Sequence, residues 1–324
     1  MDVADFLNEL RNQGIELRLA GDDRLVCDAP RSLLTAEVCA AIRDHKEDIL
    51  SFLKPVGSGA WSSLVTIQAQ GSRPPFFCIH GVGGNVLNYS VFTRYLGPDQ
   101  PVYGLQSIGL DGLAPPLTDV VAMATNYIRN IRTVQPRGPY YLGGGSMGGV
   151  VAFEMARQLK AEGEEIGLLV LLDTIGSHIV RTGTMPAVKA LGWRGRLARV
   201  CQGNPWAVVK AKAIHSWTRS RRFRACRDCL RHNRPIPVED RFWFIEQANY
   251  TAMYSYAHPK YDGEITLVRG GVTEDGSYLS DPLRGWTGLA DEIRVHAIVG
   301  EHETLIEQPE LGEVLAKCLH EAMR

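Results

Sequence analysis

Residues Pro139–Leu159 read PYYLGGGSMGGVVAFEMARQL, and this stretch decides the fold class. It joins an apolar run typical of a buried strand to a helix-forming segment through the motif Gly144-Gly145-Ser146-Met147-Gly148. A serine on such a tight turn is held outward at the end of a sheet, and the flanking glycines avoid collisions with the neighbouring strand and helix. The following helix N-terminus adds partial positive charge. The motif therefore predicts Ser146 as a nucleophile, and the alternative is an ordinary glycine-rich turn.

Strands and helices alternate along the chain around this motif. A helix is predicted at Thr118–Arg132, another after Ser146, and a closing one at Pro309–Met323. The alternation indicates an α/β fold with a mostly parallel sheet, flanked by helices and joined by right-handed crossovers. The predicted strands are Leu64–Ala69, Pro75–Ile79, Pro101–Leu105, Tyr140–Gly143, Ile166–Leu172, Gly263–Val268 and Ile293–Val299.

Residues 1–54 have the pattern of a small separate unit. Apolar residues at helical spacing precede Gly14, which ends the first helix. Ile15–Leu19 and Arg24–Cys27 predict a β-hairpin, and Thr35 is suited to cap a second helix with a possible break. So small a helix–hairpin–helix unit buries little surface, so a partner would stabilise it. Residues 55–60 are punctuated by Pro and Gly and are interpreted as a linker to the body at 61–324.

The composition of the 324 residues narrows the class of protein. A net charge of −1 does not favour nucleic-acid binding, and the apolar runs near the motifs are too short to cross a membrane. The first residues are acidic where a secretory signal would be basic, and the seven cysteines are scattered. A cytoplasmic protein with reduced thiols is expected.

The segment at about 176–241 interrupts the alternation and is predicted to form a lid over the active site. From Arg181 to Arg241 it contains fifteen Lys or Arg and three Asp or Glu. This charge suits an acidic partner, and the alternative is a set of solvated helical faces. Cys226, Cys229, His232 and His215 match a zinc site only weakly, so no metal site is predicted.

A serine nucleophile needs a base, and the base needs an acceptor that orients it. In hydrolase sheets of this kind the chain order is serine, acid, histidine. His302 follows the last predicted strand and is the predicted base, since an imidazole suits proton transfer near neutrality. Asp173 ends the strand after that of Ser146 and is the predicted acid. The alternative acids follow the next strand along the chain, and they are Glu274, Asp275 and Asp281.

An oxyanion formed at the serine would need two backbone N–H donors. The predicted donors are Met147, directly after the serine, and Val82 in the turn His80-Gly81-Val82-Gly83-Gly84, with Gly83 as the alternative to Val82. His80 is predicted to hold its own loop rather than to act as the base. His296, within a strand, is predicted to be structural.

These motifs together resemble the thioesterase domains that end nonribosomal peptide and polyketide assembly lines. The matching strings, in order, are FFCIHGVGGNVLNYSVFTRYLGPDQPVYGLQSIGLDG, YYLGGGSMGGVVAFEMARQL, LLVLLDT and VGEHETL. The resemblance covers Trp61 to the C-terminus, implies the α/β-hydrolase fold and supports Asp173 as the acid. Gly145 departs from the family, which often has a bulky residue there, and this predicts a wider or looser substrate site.

Residues 1–54 are similar to the small N-terminal docking domains of assembly-line subunits, of the tubulysin type. The similarity lies in FLNELRNQGIELRLAGDDRLVCDAP and LTAEVCAAIRDHKEDIL. It implies that the hairpin edge accepts the C-terminal tail of an upstream synthase subunit, often acidic. The candidate basic contacts are Arg18, Arg24, Arg31 and Lys46, although the unit has seven basic and eleven acidic residues. The alternative is a folded cap with no partner.

The two resemblances together imply a trans-acting thioesterase. It would release an acyl or peptidyl chain from the phosphopantetheine arm of a carrier protein through a serine acyl-enzyme, by hydrolysis or cyclisation. It would need no cofactor of its own, since the phosphopantetheine belongs to the carrier. An editing thioesterase that clears stalled carriers, a stand-alone esterase or lipase, and a non-catalytic docking scaffold are the alternatives.

Overall fold

The computed structural model describes residues 6–7, 9–10, 13, 15–19, 25–53, 61–176, 221–272, 281–300, 302 and 304–324. In the N-terminal part, β1 (Glu16–Leu19) and β2 (Leu25–Asp28) form an antiparallel hairpin. Two helices follow, α1 (Ala36–Asp44) and α2 (Lys46–Leu53), separated at His45 as the expected break predicts. Thr35 caps α1, because its hydroxyl oxygen accepts the backbone N–H of Val38 at 3.3 Å. The predicted linker at 55–60 lies outside the described residues.

The body is built on a seven-stranded sheet in the order β3-β5-β4-β6-β7-β8-β9 over the described residues. Every neighbouring pair is parallel except β3 and β5, which are antiparallel, so the prediction of a mostly parallel sheet is confirmed. The strands are β3 (Leu64–Gln68), β4 (Phe76–Ile79), β5 (Val102–Leu105), β6 (Tyr140–Gly145), β7 (Ile166–Leu172), β8 (Tyr261–Val272) and β9 (Ala290–Val299).

Helices cover both faces of this sheet. On one face α4 (Val120–Ile131) and α5 (Met147–Ala161) bury a large apolar cluster, to which Phe77 and Leu142 of the strands belong. On the other face α3 (Ser90–Leu96) and α7 (Pro309–Ala322) pack against Phe76 and Tyr141. Successive strand residues thus point to opposite helical layers, which is why β4, β6 and most of β7 are apolar without interruption.

The segment predicted as a lid is only partly described, since residues 177–220 lie outside the described ranges. Residues 221–231 form a basic helix, here called the arginine helix. The next helix, α6 (Val238–Ser255), begins inside the predicted lid and continues well past its expected end at 241. Buried residues of α6 include Phe244, Ile245 and Asn249, so this helix is a packed part of the body. No helix in the described parts of the chain is long and apolar enough to cross a membrane.

Candidate active site

Ser146 lies on a sharp turn between β6 and α5. Its φ of 55° is uncommon for a non-glycine residue, and its backbone N–H donates to Leu172 O of β7 at 2.9 Å. A Cβ at Gly148 would lie 2.2 Å from Ile79 O, and one at Gly149 would lie 2.0 Å from Thr174 Oγ1. The glycines therefore let the helix approach β4 and the end of β7 closely, as the motif predicts.

Asp173 follows β7 directly and lies beside the serine turn. Strands β6 and β7 pair in parallel with Gly145 opposite Leu172, so Ser146 and Asp173 leave the same end of neighbouring strands. Asp173 has a φ of 45° and its backbone N–H donates to Val268 O at 2.7 Å. Its side chain is 2% exposed.

The structure brings Asp173 and His302 together. Nδ1 of His302 lies 2.6 Å from Oδ2 of Asp173. A carboxylate can only accept, so Nδ1 carries the proton and Nε2 is the ring nitrogen left to accept one. Ile306, four residues beyond His302, reaches the serine turn: a Cβ at Gly145 would lie 3.3 Å from Ile306 Cδ1. The loop after β9 thus lies next to the serine turn.

The Asp173 carboxyl is held ionised by its surroundings. Its burial by itself raises the pKa, but the hydrogen bond with His302 and the nearby charge of Arg284 lower it, as does the backbone N–H of Gly270. The net result is a pKa below the usual value for aspartate. An ionised acceptor in contact with Nδ1 would stabilise the imidazolium that forms when Nε2 takes a proton.

The alternative acids do not occupy this position where they are described. Glu274 and Asp275 lie outside the described residues. Asp281 instead accepts backbone N–H groups within its own loop, from Leu283 at 3.0 Å and from Gly285 at 2.6 Å. Of the candidate acids that the structure describes, Asp173 is the one in contact with His302.

The predicted oxyanion donors lie at the start of α5 and in the loop after β4. Met147 is the first residue of α5, so its N–H belongs to the unpaired first turn of that helix. Val82 follows β4, which pairs directly with β6, and its carbonyl accepts Nδ2 of Asn249 at 2.8 Å. Asn249 is fully buried on α6, so this helix holds the Val82 loop from above.

His80 has the loop-holding contacts expected for it. Its Nδ1 lies 2.7 Å from Gly81 O, so Nδ1 donates and Nε2 accepts from the hydroxyl of Tyr127, also at 2.7 Å. Burial lowers the pKa of His80 to about 4. The ring is therefore neutral and fully engaged. His296 is likewise in contact with Cys318 Sγ at 3.7 Å, and burial lowers its pKa.

Three contacts at the site had no sequence signal that found them. Tyr89 donates its hydroxyl to Ile79 O at 2.7 Å and accepts the Gly145 N–H at 2.9 Å, so it ties β4 to β6 beside the serine. Asn249 supports Val82, and Arg284 pairs with Asp173. Tyr89 and Ile306 also border the space next to Gly145, where the sequence predicts a wider substrate site: a Cβ at Gly145 would lie 3.3 Å from an atom of each.

The candidate docking contacts are described only in part. Arg18 lies on β1, Arg31 opens a short 3-10 turn, and Lys46 is exposed at the start of α2. The side chains of Arg18 and Arg31 and the whole of Arg24 lie outside the described residues. Within the described ranges no group of three or more His, Cys, Asp or Glu side chains could hold a metal ion, and His215 falls outside them.

Comparison with known proteins places both parts of the chain. The family model of the thioesterase domain matches residues 74–321, and that of the TubC N-terminal docking domain matches residues 3–54. A probable non-canonical nonribosomal peptide synthetase, CymA of Salinispora arenicola, is 43% identical over 271 residues, covering 82% of this chain and 3% of that protein. A dimodular nonribosomal peptide synthase of Bacillus subtilis is 37% identical over 182 residues, covering 50% of this chain and 8% of that protein. The chain therefore spans only a small fraction of the length of these relatives.

Solved structures give the same fold. The NocB thioesterase domain, in covalent complex with a fluorophosphonate nocardicin G analog, is 25% identical with a TM-score of 0.54 and covers 81% of this chain and 99% of its own. The type II thioesterase BorB from the borrelidin cluster, at 17% identity and a TM-score of 0.53, shares the fold over 83% of this chain and 100% of its own. The chain thus has the α/β-hydrolase fold of these enzymes, and it belongs to the thioesterase domain family and carries a TubC-type N-terminal docking domain.

Proposed function

We propose that this protein is a trans-acting serine thioesterase of a nonribosomal peptide or polyketide assembly line. The observation that carries the proposal is the contact between the buried Asp173 carboxylate and the His302 ring, next to the strained turn that holds Ser146. Family membership makes the thioester bond the natural substrate. Its carrier protein would deliver the acyl or peptidyl chain on a phosphopantetheine arm, so the protein itself would need no cofactor.

The proposed reaction begins at the Ser146 hydroxyl. Nε2 of His302 takes the hydroxyl proton while the oxygen attacks the thioester carbonyl, and Asp173 steadies the imidazolium. The N–H groups of Met147 and Val82 would stabilise the oxyanion. The oxyanion then collapses, the pantetheine thiolate leaves with the proton from His302, and an acyl-serine remains. Water, or a nucleophile of the acyl or peptidyl chain itself, then attacks this ester while His302 takes its proton. His302 gives that proton to the leaving Ser146 oxygen, which restores the serine.

The division of the chain fits delivery by two partners. The unit at 1–54 would bind the C-terminal tail of an upstream synthase subunit along its hairpin, and the linker at 55–60 would leave the body at 61–324 free to meet the carrier. In the segment predicted to form a lid, at about 176–241, the arginine helix has exposed side chains at Arg227 and Arg231. Such a basic surface suits an acidic carrier protein.

Intact mass spectrometry of the protein mixed with acyl-loaded carrier tests the chemistry. A covalent adduct of the mass of the acyl group is expected on the wild type and is expected to vanish in Ser146→Ala. Ser72→Ala is the matched control, because Ser72 is an exposed serine paired with Asp99 and remote from the turn. No adduct on the wild type, or an adduct that persists in Ser146→Ala, would refute the serine mechanism.

A binding experiment tests the docking role separately. Fluorescence anisotropy of a labelled acidic peptide, matching the C-terminus of the upstream subunit, would be measured against the wild type and the charge reversals Arg31→Glu and Lys46→Glu. Weaker binding by the reversals is expected. Lys317→Glu on α7 is the control, since Lys317 is exposed and paired with Glu321 in the body. Equal affinity in all four proteins would reject these contacts.

A further inference from the structure

The carboxylate of Asp173 contacts groups on three different segments. Its Oδ1 accepts the backbone N–H of Gly270 at 3.1 Å, and its Oδ2 contacts both Nδ1 of His302 and the guanidinium Nη2 of Arg284. The side chain of Asp173 is 2% exposed and that of Arg284 is 14% exposed. The buried carboxylate therefore lies between an imidazole and a guanidinium that belong to different loops.

The loop that carries Arg284 is fixed to the segment that carries Asp173. The backbone carbonyl of Arg284 accepts the N–H of Gly176 at 2.8 Å, and Trp286 Nε1 donates to Thr174 O at 2.9 Å. Trp286 is fully buried. Arg284 itself has a φ of 50°, a left-handed conformation that a non-glycine residue keeps only where its surroundings hold it. The guanidinium is thus delivered to the carboxylate by a packed loop.

We propose that Arg284 is a positioning residue, whose guanidinium fixes the orientation of the Asp173 carboxylate and through it that of His302. This inference rests on the proposed function, because the orientation of His302 matters for turnover only if His302 relays the proton of Ser146. With Gly270 on one oxygen and Arg284 on the other, the carboxylate cannot rotate. Its Oδ2 then presents a constant acceptor to Nδ1, which keeps the other ring nitrogen available as the base.

The charge of Arg284 has a second consequence. It offsets the negative charge of Asp173, so an imidazolium at His302 is stabilised less than it would be beside a lone carboxylate. Among the described residues, the other charged groups packed here include Arg269, which is fully buried and donates to Gly270 O and Asp281 O, and Asp281, which accepts N–H groups of its own loop.

The test compares Arg284→Gln and Arg284→Lys with the wild type and with Arg294→Gln. Arg294 is a half-exposed arginine on β9 that pairs with Glu264 and Glu321, so its loss removes a similar ion pair away from the site. Two quantities are measured against pH: the ¹³Cγ chemical shift of Asp173, assigned with Asp173→Asn, and the rate at which a fluorophosphonate labels Ser146.

In Arg284→Gln, the pKa of Asp173 is expected to rise by about one pH unit, because the opposite charge beside it is lost. The acid limb of the labelling rate is expected to move to higher pH as well, and the plateau rate to fall about tenfold. Arg284→Lys keeps the charge and loses the planar fork, so we expect an acid limb at the wild-type pH with a reduced plateau. Arg294→Gln is expected to match the wild type in both quantities.

An Asp173 signal that titrates at the same pH in Arg284→Gln and in the wild type would overturn the proposal, whatever the labelling rates. A lower plateau in both Arg284 variants with no movement of the acid limb in Arg284→Gln would also overturn it, because that result describes a loop with a structural role alone. Failure of the proposed function has a different signature, since the wild type would then not be labelled at Ser146 while the Asp173 signal still decides the role of Arg284.

Discussion

His258 makes the stability of this protein sensitive to acid. Its ring packs among Phe153, Tyr256 and Trp286, with centroid distances of 5.6, 4.9 and 4.9 Å, and among the described residues neither ring nitrogen has a hydrogen-bond partner. Burial lowers the pKa of His258 from 6.5 to about 4, although the charge of Glu154 opposes this shift. The folded protein therefore holds this ring neutral at a pH where the unfolded chain protonates it.

The size of the effect follows from these two pKa values. A folded-state pKa below the unfolded value means that the contribution to stability is fully present above pH 6.5 and is lost as the pH falls toward about 4. At about 1.4 kcal/mol per pH unit, the full loss is about 3 kcal/mol, and at pH 5 it is about 2 kcal/mol. His80, whose pKa is also lowered to about 4, adds a similar loss that a change at His258 leaves intact.

The perturbation is His258→Phe, which keeps a ring in the aromatic cluster and removes the titrating nitrogens. Urea unfolding would be followed by tryptophan fluorescence at pH 7.5 and pH 5.0. We expect the free energy of unfolding to fall between these pH values by about 2 kcal/mol less in the variant than in the wild type. At pH 7.5 we expect the variant to be at least as stable, since two unpartnered buried nitrogens are gone.

The matched control is His320→Asn, because His320 is an exposed histidine on α7. It is expected to lose stability between the two pH values as much as the wild type does. Parallel losses in His258→Phe and the wild type would refute the reasoning, since they would show that the His258 ring is not held neutral by burial.

Three further changes probe the body of the enzyme. In Gly148→Ala the new Cβ would lie 2.2 Å from Ile79 O, so β4 and α5 must separate. We expect a melting temperature several degrees lower and at least tenfold slower labelling of Ser146 by a fluorophosphonate. The control is Gly81→Ala, whose Cβ would meet Gly145 O at 3.6 Å and which should melt near the wild-type temperature. In Glu154→Gln a fully buried side chain loses the charge-assisted bonds that Arg157 donates to its carboxylate at 2.8 Å. Because the pKa of Glu154 is lowered in the folded protein, we expect the free energy of unfolding in urea to be about 2 kcal/mol lower than that of the wild type at pH 7, and closer to the wild type at pH 3.5. An equal difference between variant and wild type at both pH values would contradict this. In Asn249→Leu the hydrogen bond that Asn249 Nδ2 donates to Val82 O at 2.8 Å is lost. We expect kcat for the steady-state hydrolysis of an acyl thioester to fall about tenfold with little change in KM. A rise in KM alone would argue against a role of the Val82 loop in stabilising the oxyanion.

The sequence predicted those elements whose signals are local. The apolar runs of β4, β6 and β7 lie between helices, and each is strong enough to specify a buried strand without knowledge of its neighbours. The turn at Ser146 was also predictable from the local sequence, because only glycine fits where helix α5 comes so close to β4 and to the end of β7. The expected contact between Asp173 and His302 followed from the order of motifs at the ends of strands.

Other elements were missed or misjudged because their surroundings define them. The predicted end of the lid at about 241 falls inside helix α6, which the sequence did not predict, since its buried residues, which include Arg241 and Asn249, do not form one apolar stripe. The helix α3 was not predicted at all. Strand β9 begins at Ala290, earlier than the expected Ile293, because pairing with β8 extends the strand through its exposed residues Asp291 and Glu292.

By itself, then, the sequence determined the strand–turn–helix unit around Ser146 and the rim of the sheet on which Asp173 and His302 lie. Tertiary structure alone decided what surrounds them: that Arg284 pairs with Asp173, and that Asn249 holds Val82. Apolar periodicity and glycine sterics act between residues close in the chain. An ion pair or hydrogen bond between distant loops depends on how those loops meet, and no local pattern encodes that.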